Sequence, residues 1–199
     1  SALALAACGS SNSSDSNASA SSASTSAKPA PSALPSGMGS TAGDGEFPRT
    51  VKHFRGETKI ESAPKSVVIL STGQLDDVLA LGLVPIGAAT ANDADLVPEY
   101  LKTKFSDKSA ELDKIAKVGK RTEPDLGAIA NLHPDLILIN NTNKKEEVYD
   151  SLSKIAPTVV TEGTGNNWKQ DFLMIASALG ATSKAEEMLK DYEDKAKKL

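Results

Sequence analysis

From Phe47 onward, short continuous apolar runs alternate with longer amphipathic ones. Four runs stand out: Ser66-Val67-Val68-Ile69-Leu70-Ser71, Pro85-Ile86-Gly87-Ala88-Ala89, Asp135-Leu136-Ile137-Leu138-Ile139 and Pro157-Thr158-Val159-Val160-Thr161. Apolar without alternation, they predict strands covered on both faces. Helices are expected between and after them. Gln74 to Leu81 follows the turn Thr72-Gly73 and is closed by Gly82. Leu96 to Phe105 is a second helix. Lys144 to Ile155 carries Val148, Leu152 and Ile155 at helical spacing. Asn167 to Leu179 is capped by Gly180, and Ser183 to Leu199 carries Ala185, Met188, Leu189, Tyr192 and Ala196 on one stripe. Before all of these, Thr50 to Phe54 and Glu57 to Ile60 flank Arg55-Gly56, a hairpin pattern.

The stretch Val118 to Ile139 organises the rest. It reads as a loop carrying Lys120 and Arg121, then a short helix, then a buried strand. Glu123-Pro124 is taken as the helix start, since the N–H that proline lacks would be unpaired in a first turn. His133-Pro134 stops the helix, because a residue before proline avoids the α region. Alternating strands and helices predict an α/β, Rossmann-like, mostly parallel sheet with helices on both faces. Ligands on such sheets sit beyond the carboxyl ends of the strands. The loops expected there are Thr72-Gly73, Thr90-Ala91-Asn92, Gly119 to Thr122, Asn140 to Lys144 and Glu162 to Trp168. They carry amides, hydroxyls and basic side chains, with no carboxylate pair, nucleophile-base pair or phosphate cradle.

Composition narrows the choice. The chain has 199 residues, a net charge of −4 and 4% aromatics, so the core is aliphatic and bulk electrostatic binding of nucleic acid is disfavoured. One cysteine and two histidines, His53 and His133, argue against an internal disulfide and against a zinc site. Ser, Ala and Gly fill 25 of the 37 positions from 9 to 45, with no Val, Ile, Phe, Tyr or Trp. That composition predicts a disordered tether, spanning roughly 30 Å by random-coil scaling.

Two resemblances add to this reading. Leu5-Ala6-Ala7-Cys8-Gly9 resembles a bacterial lipobox, with residues 1–8 as the trimmed end of a signal peptide. It implies a lipid on Cys8, holding the protein at the extracytoplasmic face of a cell membrane, that of a Gram-positive bacterium. The second resemblance covers nearly all of 47–199. Phe47-Pro48-Arg49-Thr50-Val51, Leu79 to Gly87, Val118-Gly119-Lys120-Arg121-Thr122-Glu123-Pro124-Asp125-Leu126, Leu132 to Ile137, Ile155 to Val159 and Ala178-Leu179-Gly180 resemble the first lobe of a siderophore-binding lipoprotein of an iron-uptake ABC transporter. That family has a class III periplasmic-binding-protein-like fold, two lobes joined by one long helix. The resemblance implies a lobe over 46–182, the start of the interlobe helix over 183–199, and a second lobe absent from this chain. The chain is then expected to be an N-terminal portion; a complete one-lobe protein is the other reading.

The resemblance also implies a function and a site. The protein is expected to capture a ferric siderophore, as a monomer and without a cofactor of its own, and to hand it to an ABC permease. No catalytic residue and no protein-held metal is expected, because the siderophore itself holds the iron. Arg121 matches the arginine that faces the ligand, and a guanidinium suits anionic chelators through its fixed, forked donors. Thr72, Gly73, Asn141 and Thr142 are candidate contacts. Asn140 to Asn143 serve equally well as caps of the next helix, while Lys120, Lys144 and Lys145 read as solvated. Trp168 either packs on the ligand at the rim or on the lobe's own loops. His133 reads as structural. Relatives commonly carry Pro-Asn-Leu-Glu where this chain has Pro124-Asp125-Leu126-Gly127, and that glutamate docks on the permease. Glu123 and Asp125 are the acids left to replace it. Haem or corrinoid binding, and a tethered adhesion module, are the alternatives. Ser71-Thr72-Gly73-Gln74 in place of a Gly-x-Gly-x-x-Gly run counts against a dinucleotide enzyme.

Overall fold

The apolar runs of the sequence become the centre of a six-stranded sheet in the computed structural model, which describes residues 33–91 and 95–198. A hairpin comes first, β1 (Arg49–His53) against β2 (Gly56–Ile60), antiparallel. The main sheet contains β3 (Val67–Ile69), β4 (Gly87–Thr90), β5 (Ala116–Lys120), β6 (Glu123–Pro124), β7 (Leu136–Asn140) and β8 (Thr158–Thr161). Their order is β6-β5-β4-β3-β7-β8, parallel throughout except for β6, which runs antiparallel to β5 at the edge.

The helices are α1 (Gln74–Ala80), α2 (Glu99–Lys104), α3 (Ser109–Leu112), α4 (Leu126–Asn131), α5 (Glu146–Ile155), α6 (Trp168–Leu179) and α7 (Thr182–Lys197). Side chains alternate across each strand, so the central strands feed two cores. Val67, Ile69, Leu136, Leu138 and Val159 pack with Leu75, Val78 and Leu79 of α1 and Met174 and Ile175 of α6. Val68, Leu70, Ile137, Ile139 and Val160 pack with Ile129 of α4 and Leu152 of α5. This double coverage is why the runs are apolar at every position. A third cluster joins Phe172, Leu173 and Ala176 of α6 to Ala185 and Leu189 of α7. The end of α1 is closed as expected, with Gly82 N–H donating to Leu79 O at 3.0 Å and Leu83 N–H to Val78 O at 2.9 Å.

Four expectations need correction. Val118 to Lys120 is not loop but the end of β5, and Arg121-Thr122 is the turn of a hairpin into β6. Glu123-Pro124 does not open the helix. It forms β6, an edge position that tolerates the missing proline N–H, and α4 begins at Leu126 with Asp125 as its cap. Leu96 to Phe105 is helical only over Glu99–Lys104, because Pro98 is the N-cap, in the extended conformation; a 3₁₀ turn and α3 follow. Last, the lobe starts before residue 46. Gly39 and Lys52 exchange backbone hydrogen bonds of 2.8 and 2.9 Å, and Leu34 and Met38 pack on the core. Residues 33–45 are therefore a strap along β1 and α6, and only the earlier part of the expected 9–45 tether lies outside the described residues.

Candidate functional site

The carboxyl ends of β3, β4, β5 and β7 open on a cleft of about 540 Å³. Ser71, Thr90, Asn140, Thr142, Lys144 and Lys145 line it together with Arg121, and none of the described residues that line it is acidic. Arg121 sits at the tip of the β5–β6 hairpin. Its backbone N–H donates to Thr90 O at 2.8 Å, and Asp125 N–H donates to Val118 O at 2.9 Å, so both ends of the hairpin are tied down. The hairpin depends on Gly119. Its φ is +93°, and a Cβ there would lie 2.7 Å from the backbone nitrogen of Asp125. The loop expected to present Arg121 is thus a short, rigid device.

The far wall is the segment between β7 and α5, and Arg55 fastens it. The Arg55 side chain is only 12% exposed. Its Nε donates to Asn141 Oδ1 at 3.0 Å, its Nη2 to Asn143 O at 2.7 Å, and its Nη1 pairs with Glu146 at 2.8 Å. Asn140 Oδ1 accepts from Thr142 N–H at 3.0 Å, and Asn143 Oδ1 from Lys145 N–H at 3.1 Å. Asn141 does not line the cleft, since Arg55 holds its amide oxygen. Thr142 does line it. Arg55 escaped the sequence reading because it lies in a hairpin turn 91 residues from its partner Glu146.

His53 supports the same turn. Its Nδ1 accepts the Arg55 backbone N–H at 3.2 Å, which leaves Nε2 to donate to Thr58 Oγ1 at 2.8 Å. Burial pulls its pKa from 6.5 down to about 4, because a buried imidazole resists charging.

The remaining candidates lie along the same edge. Thr72 and Gly73 share with Arg121 a smaller hollow of about 200 Å³. On the other side of the α1 N-terminus they border a cavity of about 630 Å³, also lined by Trp168, Tyr192 and Asp171. Beneath, Gln74 Oε1 accepts from Ser71 N–H at 3.1 Å and its Nε2 donates to Thr161 Oγ1 at 3.2 Å, joining β3 to β8. Gln74 is a buried polar linker that its helical position alone did not signal. Trp168 is 40% exposed and meets Tyr192 edge-on, centroids 5.0 Å apart. It packs on the lobe itself and still faces the second cavity, not the Arg121 cleft. Among the described residues, no group of three or more His, Cys, Asp or Glu is placed to hold a metal ion.

A family model described as "Periplasmic binding protein" matches residues 67–199. The chain belongs to that family. As a periplasmic binding protein it is similar to the probable siderophore-binding lipoprotein YfiY of Bacillus subtilis, 38% identical over 73% of this chain and 42% of YfiY. The petrobactin-binding protein YclQ of the same organism is 37% identical over 71% of this chain and 42% of YclQ. The chain thus spans less than half the length of these curated relatives. Among solved structures, Staphylococcus aureus SirA complexed with staphyloferrin B superposes with a TM-score of 0.65 at 38% identity, covering 73% of this chain and 47% of SirA. The α/β fold expected from the sequence is the periplasmic-binding-protein-like fold of these neighbours.

On this periplasmic binding protein the expected docking acids are both exposed, Glu123 in β6 and Asp125 as the cap of α4. Asp125 Oδ1 also accepts the Ala128 N–H at 3.0 Å. Gly127 is exposed too, and a Cβ there would meet only that carboxylate, at 3.6 Å. Cys8 lies outside the described residues.

Proposed function

We propose that the Arg121 cleft binds a ferric siderophore, and that the protein delivers it to an ABC importer for iron uptake. The observation that carries this reading is the rigid presentation of Arg121 over a cleft lined by hydroxyls, amides and two lysines, with no acid among the described lining residues. Ferric chelates of hydroxamates, catechols or carboxylates carry negative charge on their oxygens, and a fixed guanidinium fork pairs with such oxygens at little entropic cost. The named ligands of YclQ and SirA, petrobactin and staphyloferrin B, support the class. The iron is cargo held by its chelator. The protein performs no covalent step; the importer supplies the energy. Haem or corrinoid binding is the weaker reading, since the described residues lining the Arg121 cleft include no His, Tyr or Met.

In the intact carrier a lipid on Cys8 anchors a monomer to the extracytoplasmic face of the membrane. The lobe of 46–182, preceded by its strap, forms one wall of the ligand site. The helix that begins at Thr182 leads to a second lobe that forms the other. Glu123 and Asp125 carry the docking charge that Gly127 does not.

A panel of ferric siderophores titrated into the 199-residue chain tests the site. One wall alone should bind in the micromolar to millimolar range, about 4 to 8 kcal/mol, and Arg121→Ala should weaken the best ligand about tenfold. Unchanged affinity in Arg121→Ala would remove that residue from the site. Submicromolar binding would overturn the one-wall reading.

A further inference from the structure

We propose that the second cavity, between α1, α6 and α7, binds an alkylammonium group, so that the ligand is bipolar, with an anionic ferric chelate at Arg121 and a cationic arm in this cavity. The placement of the head rests on the proposed function; the cavity's own chemistry does not. Arg121, Thr72 and Gly73 meet in the hollow between the two spaces, and Thr72 and Gly73 also border the cavity, so one ligand can lie along the whole edge. The two ends carry opposite charge. The first has Arg121, Lys144 and Lys145, whereas the second has Asp76, Asp77 and Asp171.

These carboxylates are not spent on ion pairs. Lys104 borders the cavity, yet no cation lies within 4 Å of any of the three among the described residues. Asp76 accepts the Tyr100 hydroxyl at 2.7 Å, and Asp171 accepts the Glu162 and Gly163 N–H groups, both at 2.8 Å. The Asp77 carboxyl accepts no hydrogen bond from any described residue, and burial together with Asp76 and Asp171 pushes it well above the ordinary range. A carboxyl placed this way gains a favourable charged state when a cation arrives.

The walls suit an organic cation better than a bare ion. Trp168 and Tyr192 present aromatic rings to the cavity, and Met188 and Leu189 add apolar surface. Lys169 Nζ, which does not line the cavity, lies 5.6 and 5.5 Å from the two ring centroids, so the same rings already attract one cation. An ammonium on an alkyl chain satisfies both parts: methylenes against the rings, charge towards Asp77.

Trp168 is the only tryptophan of the chain and reports on the cavity directly. Cadaverine titrated into the 199-residue protein should shift its emission saturably, and pentanediol, the neutral analogue, should not. Asp77→Asn should weaken the cadaverine response about tenfold, the scale of one charge-assisted contact, and raise the urea midpoint, which shows that it folds. It should leave ferric citrate binding unchanged. Arg121→Ala should do the reverse. No saturable response, an equal response to pentanediol, or an undiminished one in Asp77→Asn overturns the inference. If ferric citrate fails to bind while the Asp77-dependent cadaverine response persists, the siderophore reading falls and the cation site stands.

Discussion

Arg55 is the residue whose removal should separate positioning from contact. It does not itself line the Arg121 cleft, yet its three bonds hold the segment that forms the far wall. Arg55→Ala should cost about 2–3 kcal/mol in urea unfolding, since it leaves Asn141 Oδ1 and Asn143 O without a charged donor. It should also speed amide hydrogen exchange in residues 141–146 and weaken siderophore binding about fivefold through the loosened wall. Normal exchange in that segment would remove the clamp. His53 gives a pH prediction with a definite sign. Its folded pKa lies below its unfolded value, so the neutral form is favoured on folding. That stability is present above about pH 6.5 and is lost as pH falls towards 4. At about 1.4 kcal/mol per pKa unit the loss approaches about 3 kcal/mol at pH 4. Asp77 and Asp171, whose carboxyls are raised chiefly by burial, act in the opposite sense, so the measurement is the difference between the native chain and His53→Gln. The native advantage should shrink between pH 7 and 4; a constant difference would contradict the neutral buried imidazole.

At the scale of elements, β3, β4, β7 and β8 were legible because double coverage makes their apolar runs unbroken, whereas the end of β5, with only Val118 buried, read as a loop. Arg121 was singled out only through resemblance to known lobes; its presentation on a hairpin was not foreseen. A two-residue strand such as β6 leaves no periodic trace, and Pro124 fits a helix start and an edge strand equally well. What decided between them was Gly119, which alone lets β5 turn back over Asp125. Thr72, Gly73 and Trp168 were placed on the right edge, but sequence order cannot divide one edge into two cavities. Gly119→Ala tests the hairpin. The positive φ alone costs an L-residue about 1–2 kcal/mol, and the close approach to backbone atoms adds to it, for a total of about 2–4 kcal/mol. Because the hairpin carries Arg121, siderophore affinity should fall with stability. A stable Gly119→Ala protein with full affinity would show that the hairpin does not position the arginine.

On the scale of the whole molecule, composition misplaced the start of the lobe. Residues 33–45 carry only Leu34 and Met38 as large apolar side chains, too few to form a pattern, and much of their order comes from polar contacts outside the segment. Ser40 N–H donates to Ser177 Oγ at 2.7 Å, Gly45 N–H to Gly180 O at 3.0 Å, and Asp44 accepts the Ser183 N–H at the start of α7 at 3.2 Å. Arg49, 3% exposed, donates to Gly43 O and to Ser177 O. A segment that binds by backbone and capping contacts needs no hydrophobic pattern, so no pattern announces it. Removing everything before residue 46 should therefore cost about 3–5 kcal/mol: one buried guanidinium loses an acceptor, Leu34 and Met38 leave their seats on the core, and the α6–α7 corner loses its partners. Urea unfolding of the shortened and full chains measures this. Were 33–45 a tether, as the composition suggests, the two midpoints would coincide. A large gap would instead mark the strap as part of the lobe, and it should bring faster exchange at the start of α7, the helix on which Tyr192 and the second cavity depend.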